Sequence, residues 1–320
     1  MITADLDSAP SRPTPNRWQH RERQQRLEVS VRLGQGFRRL SLGLLAPLLI
    51  AVSPATATTG SVDEDRCRGV QAQIPVPVEN IDPLVPDDFQ LELNENLKAS
   101  VLVGAVQCDF VTVGAKKGRK TRFVTLRVAL VDPDPTDLPP PGYVPLGHAY
   151  TLWFASDNRN MVEYYRDQGG VPDHAAVHDA QLSITMPGDG ESGELRVNAP
   201  SAPSPFTMTA MVEPLDVGAL NAALDFWAKV PAGTMVQRPD LLDEFRLGGV
   251  RDGELKPAPG SEMDRIFCDD VERTSEGAVR FGGDDGSLRL FFRDGLFTVH
   301  VEEKQLAATS SATLCERPAR

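Results

Sequence analysis

Alternating apolar and polar residues dominate the middle of the chain and predict β-strands there. Residues 99–113 (ASVLVGAVQCDFVTV) are rich in β-branched side chains and predict one long bent strand, and residues 121–131 (TRFVTLRVALV) alternate more regularly. Further strands are predicted over 149–154, 180–186, 194–198 and 206–212. Three short strands, over 278–282, 288–292 and 297–301, are predicted to form a C-terminal meander joined by Asp-Gly turns.

Helical periodicity is confined to few segments. Residues 157–168 predict one helix, and residues 216–230 predict a second, with Asp216 as its N-cap and apolar residues at helical spacing. A short helix is also expected over 241–245. Residues 58–85 are rich in proline and predict an extended segment at the edge or surface of the domain. The whole pattern predicts an α+β fold, mostly antiparallel β with about two helices.

The N-terminal region has the pattern of an export signal. Leu40–Val52 is an apolar run broken by Pro47, too short for a membrane span, which needs about 20 residues. Arginines precede the run, and Ala55-Thr56-Ala57 follows it as a cleavage site. We therefore expect residues 1–57 to be an N-terminal extension and signal peptide, removed near Ala57. The predicted location is secreted or in the cell envelope, by the Sec or the Tat route, with no membrane span in the mature chain.

The chain is acidic, with a formal net charge of −12. The first 57 residues are net positive, so the predicted mature part is more acidic still. Nucleic acids and anionic membranes are recognised by clustered Lys and Arg, so the charge argues against both as partners.

The four cysteines all lie beyond the predicted cleavage site, which favours two disulfides in an exported protein. The pairing Cys67–Cys108 with Cys268–Cys315 is favoured because each bond closes a short loop. The pairing Cys67–Cys315 with Cys108–Cys268 stays open. No two cysteines have C-x-x-C spacing, which argues against a zinc cluster.

Residues 165–174 (YRDQGGVPDH) resemble the Gly-Arg-Glu-x-x-Gly-x-Pro-Lys-Lys signature of the acetoacetate decarboxylase-like superfamily. Arg166-Asp167 stands where that family has Arg-Glu, Gly170-Val171-Pro172 where it has Gly-x-Pro, and Asp173-His174 where it has two lysines. The resemblance implies a conical antiparallel β-barrel around an apolar pocket. The same Gly-Gly-x-Pro run is also ordinary helix-terminating sequence, which needs no shared ancestry.

In that superfamily the first lysine of the pair forms a Schiff base. A carboxylate or an imidazole cannot replace an amine nucleophile, so Asp173 and His174 imply the scaffold without that chemistry. The resemblance covers about residues 85–235. We expect a barrel domain over 58–265, followed by a disulfide-tied meander over 266–320. We expect a small apolar or amphipathic carboxylic ligand, bound by Arg166 and Asp167, and no cofactor.

Two other functions stay open. Asp173 and His174 could form an acid-base pair, and His174 and His178 lie four residues apart, as in helical metal sites. Either arrangement would suit a metal-dependent or Asp/His acid-base hydrolase or lyase. The third possibility is a structural interaction protein of the cell envelope.

Overall fold

A computed structural model describes residues 61–168, 180–188, 191–214, 220–229, 235–267, 271, 273–282, 289–299 and 302–304. For residues 168, 214, 220, 235–247, 289–299 and 302–304 it describes only the course of the backbone and not the side chains. All of these residues belong to one compact unit, Ala57–Arg320.

Strands make up most of the described chain. They are β1 (Val62–Val76), β2 (Ala99–Val113), β3 (Lys116–Leu130), β4 (Val144–Ser156), β5 (Ser183–Thr185), β6 (Gly193–Ala199), β7 (Phe206–Pro214), β8 (Leu220–Lys229), β9 (Met235–Pro257), β10 (Val279–Phe281), β11 (Arg289–Val299) and β12 (Glu302–Lys304). The described α-helices are α1 (Arg159–Gln168) and α2 (Glu262–Ile266). Two short 3₁₀ turns, Val78–Asn80 and Asp82–Leu84, follow β1.

The strands form one 12-stranded sheet in the order β11-β1-β2-β3-β4-β8-β9-β7-β6-β5, with β10 and β12 paired to β9. Neighbouring strands are antiparallel except β4 and β8, which are parallel. The predicted α+β class, mostly antiparallel with two helices in the described part, is confirmed. β11 pairs with β9 as well as with β1. The predicted conical barrel stays a prediction, as do the predicted domain boundaries.

The first four strands have two contrasting faces, because side chains alternate along each strand. One face, here called the apolar face, is continuous across paired residues such as Val103, Leu126 and Trp153. The segment between β1 and β2 covers it: Phe89 packs against Tyr150 at 5.2 Å and against Trp227 at 6.0 Å between ring centroids. Part of the main hydrophobic core therefore lies on this side of the sheet, and part lies on the opposite side, where Phe123 and Phe154 stack at 5.4 Å between ring centroids.

The opposite face, here called the polar face, carries Ser100, Thr125, Arg127 and Thr151, all of them buried. Register places Leu102 opposite Arg127 on β2, and Thr151 opposite it on β4. A second, small apolar cluster lies on this face, formed by Leu102, Ala129, Ala149 and Phe226. Both sides of the sheet are thus buried, but the buried side chains Ser100, Thr125, Arg127 and Thr151 are all on the polar face.

The helix predicted over 216–230 is wrong: Leu220–Lys229 is strand β8. Its sequence, LNAALDFWAK, is rich in the helix formers Ala and Leu. Pairing with β4 on one side and β9 on the other overrides that propensity. Burial on both faces also removes the alternation that marks a strand, since Ala222, Ala223, Phe226 and Trp227 are all buried. The short helix predicted over 241–245 is wrong for a similar reason, because these residues lie within β9.

Two further predictions need correction. Residues 58–85 were expected at an edge, but β1 runs between β2 and β11 for most of its length and is an interior strand. The C-terminal meander is also wrong, because Arg293-Asp294-Gly295 does not turn the chain and lies inside the continuous strand β11. β11 pairs with β1 on both sides of this segment, with a register shift at Asp294-Gly295, so the Asp-Gly pair forms an irregularity within the strand and not a hairpin turn.

Within the described residues, no helix is long and apolar enough to cross a membrane.

Candidate functional site

Helix α1 carries the first part of the signature-like stretch. It begins after Asn158, whose side-chain amide donates to Thr121 Oγ1 at 2.9 Å and whose backbone N–H donates to Ser156 Oγ at 3.0 Å. Both Asn158 and Thr121 are buried, so the start of the helix is fixed to β3 and β4. On its inner side α1 buries Tyr165, which meets Phe154 edge-on at 5.1 Å between ring centroids. Phe154 is paired with Thr125, so α1 packs on the polar-face side of the sheet.

The predicted ligand-binding pair lies on the last turn of this helix. Arg166 is half-buried and Asp167 is exposed. The predicted catalytic and metal-binding residues Asp173, His174 and His178 lie outside the described residues. The structure therefore places two of the five predicted residues on α1, on the polar-face side, and these site predictions stay predictions.

Arg127 is the central residue of the polar face. It is only 7% exposed, and its guanidinium carbon lies 3.5 Å from the centre of the Phe226 ring. Phe226 is on β8, and its register partner on β4 is Ala149. Because Ala149 has only a methyl side chain, Arg127 can reach across β4 from β3 to meet the ring. The contact is a cation–π interaction away from solvent, where such contacts are strongest.

Hydrogen-bonding groups lie on the same face as this cation. Gln73 donates from Nε2 to Ser100 Oγ at 3.1 Å on the β1–β2 side. Gly104 lies opposite Thr125, and a Cβ added at Gly104 would lie 2.5 Å from Thr125 Oγ1. A glycine inside a strand often marks a close approach of another group. The polar face therefore combines a buried cation, hydroxyl and amide groups, and a small apolar cluster.

The disulfide Cys67–Cys108 joins β1 to β2 further along the same face, where the two residues are register partners. This confirms one of the predicted bonds, while Cys268 and Cys315 lie outside the described residues. The carboxylate of the buried Glu64 approaches the pair, and its oxygen and both sulfurs lie within 4.8 Å of one another. Metals bind thiolates rather than disulfide sulfurs, so the oxidised pair does not provide a metal site.

A histidine lies on the other side of the sheet. Trp227 Nε1 donates to His148 Nδ1 at 3.4 Å, and His148 Nε2 lies 3.4 Å from Asp132 Oδ1. His148 is on β4 and Asp132 lies in the loop between β3 and β4. These contacts tie the β3–β4 loop to β8, so His148 has a structural role.

Sequence reasoning missed Arg127. It lies in the run TRFVTLRVALV, where alternation assigns Thr125 and Arg127 to one face, which for an isolated hairpin would be the solvent side. The signal that could have identified it is the neighbouring strand: residues 99–106 are apolar or small on both faces, so β2 is buried on both sides. A cation paired with such a strand is expected to be buried.

Known proteins resemble the chain in structure but not in sequence. No protein-family model matches it, and no curated protein matches it in sequence. An acetoacetate decarboxylase-like enzyme from Sphingomonas wittichii RW1 superposes with a TM-score of 0.45 at 13% identity, over 82% of this chain and 100% of that one. The acetoacetate decarboxylase from Legionella pneumophila gives 0.45 at 12%, over 82% and 99%. The enduracididine biosynthesis enzyme MppR gives 0.44 at 8%, over 76% and 86%.

The chain resembles the acetoacetate decarboxylase-like superfamily. These structures are named as acetoacetate decarboxylases or acetoacetate decarboxylase-like, the superfamily whose signature residues 165–174 resemble. At these identities and TM-scores, no activity, ligand or site residue of this chain follows from it.

Proposed function

We propose that this chain is an exported protein that binds a small apolar or amphipathic carboxylic acid on the polar face, without Schiff-base catalysis. The observation that carries the proposal is the buried Arg127 beside Phe226. A carboxylate is the group that a guanidinium binds best, through two parallel hydrogen bonds.

The environment of Arg127 suits an amphipathic acid. Thr125, Thr151 and Ser100 offer hydroxyl groups, while Leu102 and Phe226 offer apolar surface. We also propose that the sheet closes into the conical barrel with the polar face inside. β11 pairs with β1 at one end of the strand order and also with β9, the seventh strand of that order. The pairing with β9 supports this closure because it links the two halves of the sheet.

The absence of Schiff-base chemistry is supported by the environments of the lysines. An amine nucleophile works when burial or a neighbouring cation lowers its pKa. Among the lysines whose side chains the structure describes, none is buried: Lys98 and Lys229 are half-buried, and Lys116, Lys117, Lys120 and Lys256 are exposed. Lys229 is further engaged by Asp88 at 2.5 Å. Asp173 and His174 stand where the signature has its lysines.

Export is supported by the apolar run Leu40–Val52 with its Ala-Thr-Ala site, and by the Cys67–Cys108 disulfide, since disulfides persist in oxidising compartments. N-terminal sequencing of the protein recovered outside the cytoplasm should begin near Thr58. A product that retains Leu40–Val52 would contradict export with cleavage.

Calorimetric titration with butyrate, hexanoate and benzoate tests the binding function. At least one acid should bind, and Arg127→Met should weaken it by about 10- to 150-fold, the equivalent of 1.5–3 kcal/mol for a charged hydrogen bond. Arg127→Lys should restore little, because a lysine cannot supply the planar fork. Arg166→Ala is the matched control for the other candidate cation and should change the Kd less than threefold.

Two results would contradict the proposal. A loss of affinity in Arg166→Ala with none in Arg127→Met would move the anchor to the end of α1. A stable mass increase after incubation with a β-keto acid and borohydride would show an imine on a lysine, which the proposal excludes.

A further inference from the structure

His148, on the apolar-face side of the sheet, has both ring nitrogens engaged. Trp227 Nε1 donates to Nδ1 at 3.4 Å, and Asp132 Oδ1 lies 3.4 Å from Nε2. A second carboxylate oxygen, Oδ2 of Asp225, lies 3.7 Å from Nδ1. The His148 side chain is only 14% exposed. The ring is therefore poorly placed to bind a metal or to take a proton from a substrate, but its contacts depend on its own protonation state.

The contact with Trp227 identifies the tautomer of the neutral ring. An indole N–H is only a donor, so it bonds to Nδ1 only while that nitrogen keeps its lone pair. The proton of neutral His148 is therefore on Nε2, where it faces Asp132. His148 and Asp225 are register partners, and Trp227 follows two residues later on β8, on the same face as Asp225. Nδ1 thus lies near a donor and an acceptor of one strand.

Protonation of His148 reverses the role of Nδ1. Both nitrogens of an imidazolium are donors, so Nδ1–H no longer accepts from the N–H of Trp227. A small movement of the ring brings Nδ1–H to Asp225 Oδ2, while Nε2–H keeps Asp132. The two carboxylates favour the charged ring, as nearby opposite charges do. Protonation therefore exchanges an indole partner for a carboxylate.

The indole of Trp227 is poorly placed to replace a lost acceptor with water. Trp227 is only 1% exposed, and its ring packs against Phe89 at 6.0 Å between centroids. A buried donor without an acceptor is unfavourable, and it is relieved when the indole moves or when water enters. Either change disturbs the contact with Phe89, which belongs to the segment between β1 and β2 that covers the apolar face.

Titratable groups approach this site from several elements. They are Asp132 in the β3–β4 loop, Asp225 on β8, the phenol of Tyr150 on β4, and the ion pair of Lys229 with Asp88. The β9 residues opposite Asp225 and Trp227 are Pro239 and Gln237, neither of which titrates. Histidine is the residue type whose charge ordinarily changes between pH 5 and 8. A change of pH within that range therefore addresses the imidazole.

We infer that His148 is a proton-operated switch between β4 and β8. Neutral His148 accepts from Trp227 and keeps the segment between β1 and β2 packed on the sheet. Protonated His148 pairs with Asp132 and Asp225, releases the indole and loosens that segment. The switch is independent of the proposed carboxylic-acid site, because Arg127 takes no part in it.

NMR spectra of the ¹⁵N-labelled full-length chain between pH 8 and pH 5 test the switch. The indole proton of Trp227 should move upfield as the pH falls, because it loses its acceptor, with the same midpoint as the ring protons of His148. The indole proton of Trp153, which is equally buried, is the internal reference and should not follow that midpoint. Amide protection factors over residues 81–92 should fall by about threefold or more at pH 5.

Variants separate His148 from the other titrating groups. His148→Gln offers an amide oxygen to Trp227 at every pH and should remove the transition. Asp225→Asn should move the midpoint to lower pH, because it removes a charge that favours the imidazolium. His174→Gln and His178→Gln are the matched controls and should leave the transition unchanged.

Circular dichroism establishes that each variant is folded, and if His148→Gln does not fold, the shared midpoint and Asp225→Asn decide. A Trp227 indole signal that stays constant from pH 8 to pH 5, or that titrates unchanged in His148→Gln, would overturn the switch. Constant protection factors alongside a titrating indole would overturn the loosening of the segment.

Discussion

The two faces of the β1–β4 sheet are built from alternate residues of the same strands, yet they differ in kind. In β3, Val124, Leu126 and Val128 lie on the apolar face, while Thr125 and Arg127 lie on the polar face. Both sets are less than a tenth exposed. The residues of the first face contribute stability through apolar packing, whereas Thr125 and Arg127 place polar groups in a buried layer. The same strand therefore buries apolar side chains on one face and polar side chains on the other.

The difference between the faces predicts unequal effects of neighbouring substitutions. Leu126→Ala removes a fully buried side chain from the core and should lower the free energy of unfolding by about 2–5 kcal/mol. Thr125→Val, the adjacent residue on the polar face, keeps its shape and should cost less than about 1.5 kcal/mol. Urea unfolding of both variants measures the difference. Equal losses would mean that the two faces contribute alike to stability.

The far end of the polar face is held by a covalent bond in addition to side-chain packing. The disulfide joins residues 41 apart in sequence, and replacing Cys67 and Cys108 together by Ala should lower stability by about 2–4 kcal/mol. Affinity for a bound acid should stay within threefold at temperatures where the variant is folded, because Arg127 and Phe226 lie on other strands.

Alkylation tests the oxidation state of the cysteines. In the unsubstituted protein, denatured without reductant, no cysteine should be labelled if Cys268 and Cys315 are also paired. Labelling of both of them, with Cys67 and Cys108 protected, would leave one disulfide rather than the two that the even cysteine count predicts.

Sequence patterns predicted the strands whose propensity and environment agree. Residues 99–113 are β-branched and form β2 with those bounds, and the helix at 157–168 is observed as α1. The sequence patterns failed where neighbouring strands decide the structure. Residues 220–229 have a helical composition but are paired with a strand on each side. Strand β1 is an interior strand although its segment is rich in proline. Arg127 was missed because alternation identifies faces without showing what covers them.

Tyr150 provides a pH test of the apolar face. Burial raises the pKa of its phenol above the ordinary value near 10, partly offset by a hydrogen bond with the backbone of Lys229. The unfolded state therefore loses the proton at lower pH than the folded state does. The stability linked to this group is complete below pH 10 and is lost as the pH rises through the folded pKa, by at most about 1.4 kcal/mol per pH unit.

Phe has no phenol to ionise, so Tyr150→Phe should lose stability less steeply above pH 10 than the unsubstituted protein. Urea unfolding between pH 8 and 11 measures the slopes, and binding of benzoate at pH 7 should not change. Identical slopes would show that the Tyr150 phenol titrates alike in the folded and unfolded states.

A crystal structure of the chain with benzoate tests the central claim most directly. We predict that the carboxylate lies on the polar face, with both oxygens about 2.7–2.9 Å from nitrogens of Arg127. A benzoate bound at Arg166, or outside the polar face, would contradict the assignment of this face as the ligand site.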